Sequence, residues 1–267
     1  MKEKTEELYY GYRPITGIGF GLIGIGTVII ALAITFTLLA YSTWILVLCW
    51  VFGTIVLLGG LFWHLSMAAV TDPAKLQVLE DNFLDLLRTV WDGKGKVLDI
   101  GTGRGRVAVS IARGFPEAEV IGVDTWAGIW GKWGQTKEGA ERNAMIAKVD
   151  NRCTFQLGNA LGLPFDNGEF PLVVSAFTFH EIRVPDRTVL LKEAVRVLAP
   201  GGTFMICDLF PRGYKVKTVP ELCQKVEQLG VEYVKHQTFR ERGIEMGGLT
   251  GIWGFGFLSG KKKTSPE

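Results

Sequence analysis

Three glycines on alternate positions follow a short apolar stretch in Val97-Leu98-Asp99-Ile100-Gly101-Thr102-Gly103-Arg104-Gly105. Such a loop lets the backbone approach a ligand closely. A nicotinamide-binding fingerprint needs GxGxxG, but Arg106 stands where the third glycine would fall, so the spacing here is GxGxG. No Gly-Lys-Ser/Thr follows, which excludes a P-loop. Asp99 precedes the first glycine by two residues, and Asp124 closes the next apolar stretch. A carboxylate in the second position can accept both hydroxyls of a ribose. These residues point to a nucleoside whose tail passes the glycine loop. Further along, Phe177-Thr178-Phe179-His180-Glu181-Ile182-Arg183 holds a second group with chemical capacity. A histidine ordinarily titrates near neutral pH, so His180 could take a proton from an acceptor, while Glu181 could orient it or touch the acceptor. The blander reading has His180 only bonding its own loop. Trp126, Trp130 and Trp133 follow Asp124. They read as a lid over an apolar ligand or as filling against the next helix, with Trp126 assigned to the ligand.

These residues must be carried by elements that the hydropathy pattern supplies. Asp72-Pro73 reads as a helix cap, followed by a helix over 74–91. Strands are expected at 96–100, 119–123, 152–157, 170–175 and 203–209, with late strands at 231–239 and 249–258. Helices are expected at 107–113, 136–149, 185–198 and 219–229. Strand–helix alternation of this kind implies a mostly parallel sheet covered on both faces, with ligands beyond the carboxyl ends of its strands. The late segment 243–260 holds seven glycines in 18 residues, which suits bends or bulges in a strand. Lys261-Lys262-Lys263 reads as a solvated tail with the charge to touch anionic lipid.

The chain is 48% hydrophobic and 21% charged, an average that hides two materials. None of its 29 basic and 27 acidic side chains lies between residues 15 and 70. One helix through that segment would run roughly 84 Å, against a bilayer core of roughly 30 Å. Two spanning helices near 15–40 and 44–70, with a turn at Tyr41-Ser42-Thr43, fit instead. The domain plan is therefore an N-terminal segment (1–14), a transmembrane hairpin (15–70) and an α/β domain (71–267). Tyr9, Tyr10, Tyr12, Tyr41 and Trp44 suit membrane interfaces, as does His64 near the end of the second span. Lys2, Lys4 and Arg13 place the N-terminus, and after two spans the α/β domain, in the cytoplasm. Gly17 and Gly21 form a GxxxG pair suited to packing against the second helix or a partner copy. A net charge of +2 gives no electrostatic argument for nucleic acid. Four cysteines without a CxxC and three scattered histidines do not support a metal site or a disulfide framework.

The motifs VLDIGTGRG, VIGVD, GNALGLPF, VVSAFTFHEI and LKEAVRVLAPGGTFMICDL occur in this order over about residues 75–210. Together they resemble class I S-adenosylmethionine-dependent methyltransferases, nearest the branch of ubiquinone/menaquinone biosynthesis C-methyltransferases. The resemblance implies a Rossmann-like, mostly parallel sheet of seven strands; the membrane hairpin is outside the family pattern. It implies that Asp99 and the backbone of Gly101, Thr102, Gly103 and Gly105 hold the methionine end of S-adenosylmethionine. Asp124 would take the ribose, and Thr125 and Trp126 would approach the adenine. Asn159 and Ala160 would border the adenine, Asn159 standing where many relatives have Asp. Ser175 and Phe177 would sit beside the sulfonium. Methyl transfer from a sulfonium is an in-line displacement that needs alignment, a dry pocket and a base only when the acceptor must lose a proton. The expectation is a membrane-anchored methyltransferase for a small lipophilic acceptor, with S-adenosylhomocysteine as product. The competing expectation is a noncatalytic S-adenosylmethionine-binding module of a membrane assembly.

Overall fold

The computed structural model describes residues 8, 10, 13–39, 43–132, 134–245 and 254–264, with the backbone alone for 13–16, 69–70 and 129–130. The chain divides into two compact units, one containing an N-terminal helical hairpin and the other a β-sheet with its helices.

The hairpin consists of α1 (Arg13–Leu38) and α2 (Thr43–Val70). Apolar side chains face outward along both helices, with Leu38 81% and Trp44 78% exposed. Both are long and apolar enough to cross a membrane. Thr27, Thr35 and Thr37 donate their hydroxyls to carbonyls one turn back, so these polar groups are satisfied within the helix. The two helices approach at small residues spaced by seven. A Cβ on Gly19 would lie 2.6 Å from that of His64, and one on Gly26 2.6 Å from the Leu57 nitrogen. Ala33, seven residues further, is fully buried. On α2, Gly60 lies against Leu22 and Ile23, and Gly53 against Ile29 and Ile30. A seven-residue period follows a left-handed helix crossing. The expected GxxxG contact is thereby corrected within the hairpin: a Cβ on Gly17 or Gly21 would meet nothing within 4 Å. Four-residue spacing suits a right-handed crossing, and the seven-residue spacing of this seam is not of that kind. His64 packs its ring on Phe20, centroids 4.1 Å apart.

The second unit is built from α3 (Pro73–Val90), β1 (Lys94–Ile100), α4 (Arg106–Gly114), β2 (Glu117–Asp124), α5 (Gly128–Lys132), α6 (Lys137–Ile146), β3 (Cys153–Leu157), β4 (Phe170–Ala176), α7 (Thr188–Val197), β5 (Leu198–Leu209), α8 (Val219–Glu227), β6 (Val231–Thr238) and β7 (Phe255–Lys262). The seven strands lie in the order β3-β2-β1-β4-β5-β7-β6. β1 to β5 pair in parallel, and β7 runs antiparallel between β5 and β6. The central strands read as apolar runs because both faces are covered, with Leu98, Phe170, Val173, Phe204 and Ile206 at most 1% exposed. The chain reverses its direction of travel across the sheet between β1 and β4, so the crevice beyond those two strand ends is the expected ligand position. Register brings Ile100 opposite Val123 and Ser175, and Ser175 opposite Ile206. The ends of β1, β2, β4 and β5 therefore share one edge.

Two boundary expectations change. The last strand starts at Phe255 and runs to Lys262, and residues 246–253 lie outside the described ones. The terminal lysines are not all a solvated tail. Lys261 and Lys262 lie in β7, and Lys262 Nζ donates to the carbonyls of Val195, Arg196 and Leu198 at 2.8, 3.3 and 2.7 Å. Those carbonyls are left over at the end of α7, so the ammonium caps the helix.

Candidate active site

The loop after β1 turns on three left-handed glycines, Gly101 (φ 74°), Gly103 (φ 55°) and Gly105 (φ 77°). A Cβ on Gly101 would collide with Thr178, and one on Gly105 would lie 2.9 Å from the Phe155 ring. Both conformation and space therefore require glycine here. The Gly101 and Thr102 amides donate to the Val123 carbonyl at 2.8 and 3.0 Å, tying the loop to β2. Asp99 lies beneath the loop, 1% exposed. Its Oδ2 accepts the Thr102 hydroxyl at 2.7 Å and the Ala108 amide at 3.2 Å, holding the loop and the first turn of α4. Burial pushes the carboxyl up to about 7, against the two hydrogen bonds.

Asp124, partly exposed at the end of β2, joins the loop to the next segment. Its Oδ2 accepts the Gly103 amide at 2.9 Å and its Oδ1 the Trp126 amide at 2.8 Å. Trp126 adopts φ 45° and returns its indole Nε1–H to the Gly103 carbonyl at 2.8 Å. Gly103, Asp124 and Trp126 thus form one closed hydrogen-bonded unit. Thr125 is exposed and bonds the Ala127 amide at 3.4 Å. The side chains of Trp130 and Trp133 lie outside the described residues. Asn159 accepts the Leu161 amide through Oδ1 at 2.9 Å in a local turn, and Ala160 is buried. Ser175 is fully buried and donates to the Ile100 carbonyl at 2.8 Å, clamping β4 to β1. Phe177 adopts φ 53° and meets Phe255 at 5.4 Å and Phe239 at 6.3 Å between ring centroids.

His180 lies in a 3-10 turn, Phe179–Glu181, beyond β4. Its Nδ1 is 2.7 Å from Asp208 Oδ1, and its Nε2 is 3.2 Å from Glu181 Oε1. Burial opposes the charged ring, but the bonds and charges of Asp208 and Glu181 outweigh it and raise the imidazole to about 9. The Phe255 ring stands edge-on at 6.0 Å. Arg187 donates to the His180 carbonyl at 2.5 Å. Residue types and spacing did not single out Asp208, Thr178, Arg187 or Phe239. For Asp208 the signal was present, because a carboxylate stands next to last in the apolar strand β5, much as Asp124 ends β2.

The arrangement brings together a left-handed glycine loop, a partly exposed carboxylate on a strand end, and a cluster of aromatic rings with a histidine beside it. Residues 97–202 match the methyltransferase-domain family. The chain is 34% identical over 119 residues to a ubiquinone/menaquinone biosynthesis C-methyltransferase of Geobacter sulfurreducens, covering 44% of this chain and 43% of the relative. It is 30% identical over 159 residues to 27-O-demethylrifamycin SV methyltransferase of Amycolatopsis mediterranei, covering 56% and 54%. The alignments thus span about half the length of these curated relatives. A phosphoethanolamine N-methyltransferase of Haemonchus contortus, solved with S-adenosylmethionine, shares the fold with a TM-score of 0.51 at 18% identity, over 68% of this chain and 52% of that one. The cyclase SpnF shares it too, with a TM-score of 0.52 at 19% identity, over 69% and 81%. Over residues 97–202 and in its sheet order, the chain is similar to the class I S-adenosylmethionine-dependent methyltransferases.

Proposed function

We propose that the chain transfers a methyl group from S-adenosylmethionine to a small lipophilic acceptor at the cytoplasmic face of a membrane. The observation that carries this reading is the joint between Asp124 and the glycine loop at the strand ends, within the matched methyltransferase domain. Asp124 has acceptor capacity beyond the two amides it receives, which suits ribose hydroxyls. The glycine backbone of Gly101–Gly105 can approach a ligand closely, which suits the methionine end. In this reading Trp126 and Thr125 approach the adenine, with Asn159 and Ala160 on its other border. Bound there, S-adenosylmethionine supplies an already activated methyl group. The protein's work is then alignment and exclusion of water. Phe177, Phe239 and Phe255 give an apolar wall for a flat acceptor, and His180 can take the acceptor's proton. The quinone-pathway relatives favour an acceptor of that chemical class. The outward apolar faces of α1 and α2 support membrane anchoring, and the GxxxG face of α1, unused in the hairpin, is the surface for a second copy.

Calorimetry with S-adenosylmethionine and S-adenosylhomocysteine tests the cofactor site, and labelled-methyl transfer into a membrane lipid extract tests the reaction. Binding of both, with label in the lipid fraction, is expected. Tight binding with label in no fraction would instead identify a noncatalytic module.

A further inference from the structure

Asp208, next to last in β5, is fully buried, and three of its four polar contacts go to the turn that carries His180. Oδ2 accepts the amides of Phe179 at 2.7 Å and His180 at 3.3 Å. Oδ1 accepts the Leu209 amide at 2.7 Å and faces His180 Nδ1 at 2.7 Å. A buried carboxylate is costly unless such donors surround it. We propose that Asp208 is the positioning residue that holds His180 through Nδ1 and leaves Nε2 as the atom that exchanges a proton with the methyl acceptor. The proposal deepens the methyltransferase reading and rests on it.

The two carboxylates flanking the ring differ in exposure. Asp208 is 0% exposed and pinned by three amides, whereas the Glu181 side chain is 45% exposed. Glu181 can therefore yield its place at Nε2 to an acceptor, and Asp208 cannot yield Nδ1. A carboxylate receiving three amide protons is an acceptor toward the ring as well, so the shared proton belongs to Nδ1. The neutral ring then carries its lone pair on Nε2. The ring meets Asp208 from β5, Glu181 from its own turn and the uncharged Phe255 from β7. Arg187, at the start of α7, binds the backbone carbonyl of His180. Tyr214, buried after β5, feels the charges of Asp208 and Arg187.

In the reaction, the acceptor X–H bond gives its proton to Nε2 as X bonds the methyl carbon. The carbon–sulfur bond breaks with its electron pair kept by sulfur, and the imidazole leaves as imidazolium. The base form is thus the neutral ring, and the two carboxylates oppose its formation below about pH 9. The rate should climb with pH toward that value.

The test uses the full chain in detergent micelles with isotopically labelled histidine. His180→Gln identifies the His180 signals among the three histidines. The neutral wild-type ring is expected to be protonated on Nδ1, with a titration midpoint well above that of an exposed histidine. A neutral ring protonated on Nε2 would overturn the proposal, and this measurement needs no Asp208 variant. In Asp208→Asn the midpoint should fall by more than one pH unit. The acidic limb of labelled-methyl transfer into a membrane lipid extract should move with it, and the high-pH plateau should drop at least tenfold. In a His180→Gln background the same change should have little further effect. A uniform loss at every pH in both backgrounds, with an unmoved limb, would make Asp208 merely structural and overturn the proposal. Calorimetry separates the two readings: wild-type protein that binds no S-adenosylmethionine refutes the methyltransferase reading, whatever the tautomer.

Discussion

Asp124 does two jobs with one carboxylate, and they predict different losses. It holds Gly103 and Trp126 through their amides, and in the proposed function it also receives the ribose hydroxyls. Hydrogen bonds to a charged group contribute about 1.5–3 kcal/mol each. Asp124→Asn should therefore weaken S-adenosylmethionine binding roughly ten- to a hundredfold by calorimetry. Trp126→Phe removes only the indole bond to Gly103, so it should cost about 1 kcal/mol of stability with a smaller loss of affinity. Asp99 makes a pH-dependent prediction. Its folded value of about 7 exceeds the unfolded one of 3.8, so the folded state binds more protons between them. Its contribution is full below the unfolded value and is lost as pH rises through the folded one. Urea unfolding should show Asp99→Asn flattening that fall in stability, and an unchanged slope would refute it. Asp124 was legible in the sequence because a carboxylate closing an apolar strand is a local pattern. Asp208 carries much the same pattern, but no local signal says that β5 ends beside the turn at Phe179–Glu181. The Trp126 bond to Gly103 spans 23 residues and depends on a left-handed backbone that no tryptophan advertises.

At the scale of elements, the alternation of strands and helices was legible because β1, β4 and β5 hold buried apolar runs and β2 and β3 alternate buried with exposed residues. The last strand was less so. Its glycines blur the two-residue period, and its final lysines resemble a tail until pairing places Lys261 opposite Thr203. The Lys262 cap on α7 joins positions more than 60 residues apart. Charge-assisted hydrogen bonds of this kind predict that Lys262→Met costs about 2 kcal/mol, read by denaturant unfolding. In the hairpin, the visible GxxxG pair drew attention from the seven-residue spacing of Gly19, Gly26 and Ala33. Gly26→Leu has no room against Leu57 and should lower the melting temperature in detergent, whereas Gly17→Leu should not. The particle mass in detergent adds a second reading. A Gly17→Leu chain that loses a dimer seen in the wild type would place a second copy on that open face.

For the whole molecule, the uneven distribution of charge is the leading fact. No charged side chain lies between residues 15 and 70, and the helices built from that stretch expose aliphatic and aromatic side chains on most of their surface. Soluble helices normally bury such a surface, and a bilayer is the solvent that tolerates it. If both helices span, the chain returns to the side on which it began. Lys2, Lys4 and Arg13 precede the first span, and the turn between the helices carries no charge, so the basic side is the N-terminal one. On the proposed topology the sheet domain faces the cytoplasm, and the proposed lipophilic acceptor partitions into the bilayer. Two measurements check this. Alkaline carbonate should leave the chain in the membrane pellet and detergent should release it, since spanning helices are not held by charge. A reporter fused after residue 267 should be active only when it requires the cytoplasm. Release by carbonate would reduce the hairpin to a soluble element, and a reporter active only outside the cytoplasm would invert the topology and separate the domain from its methyl donor.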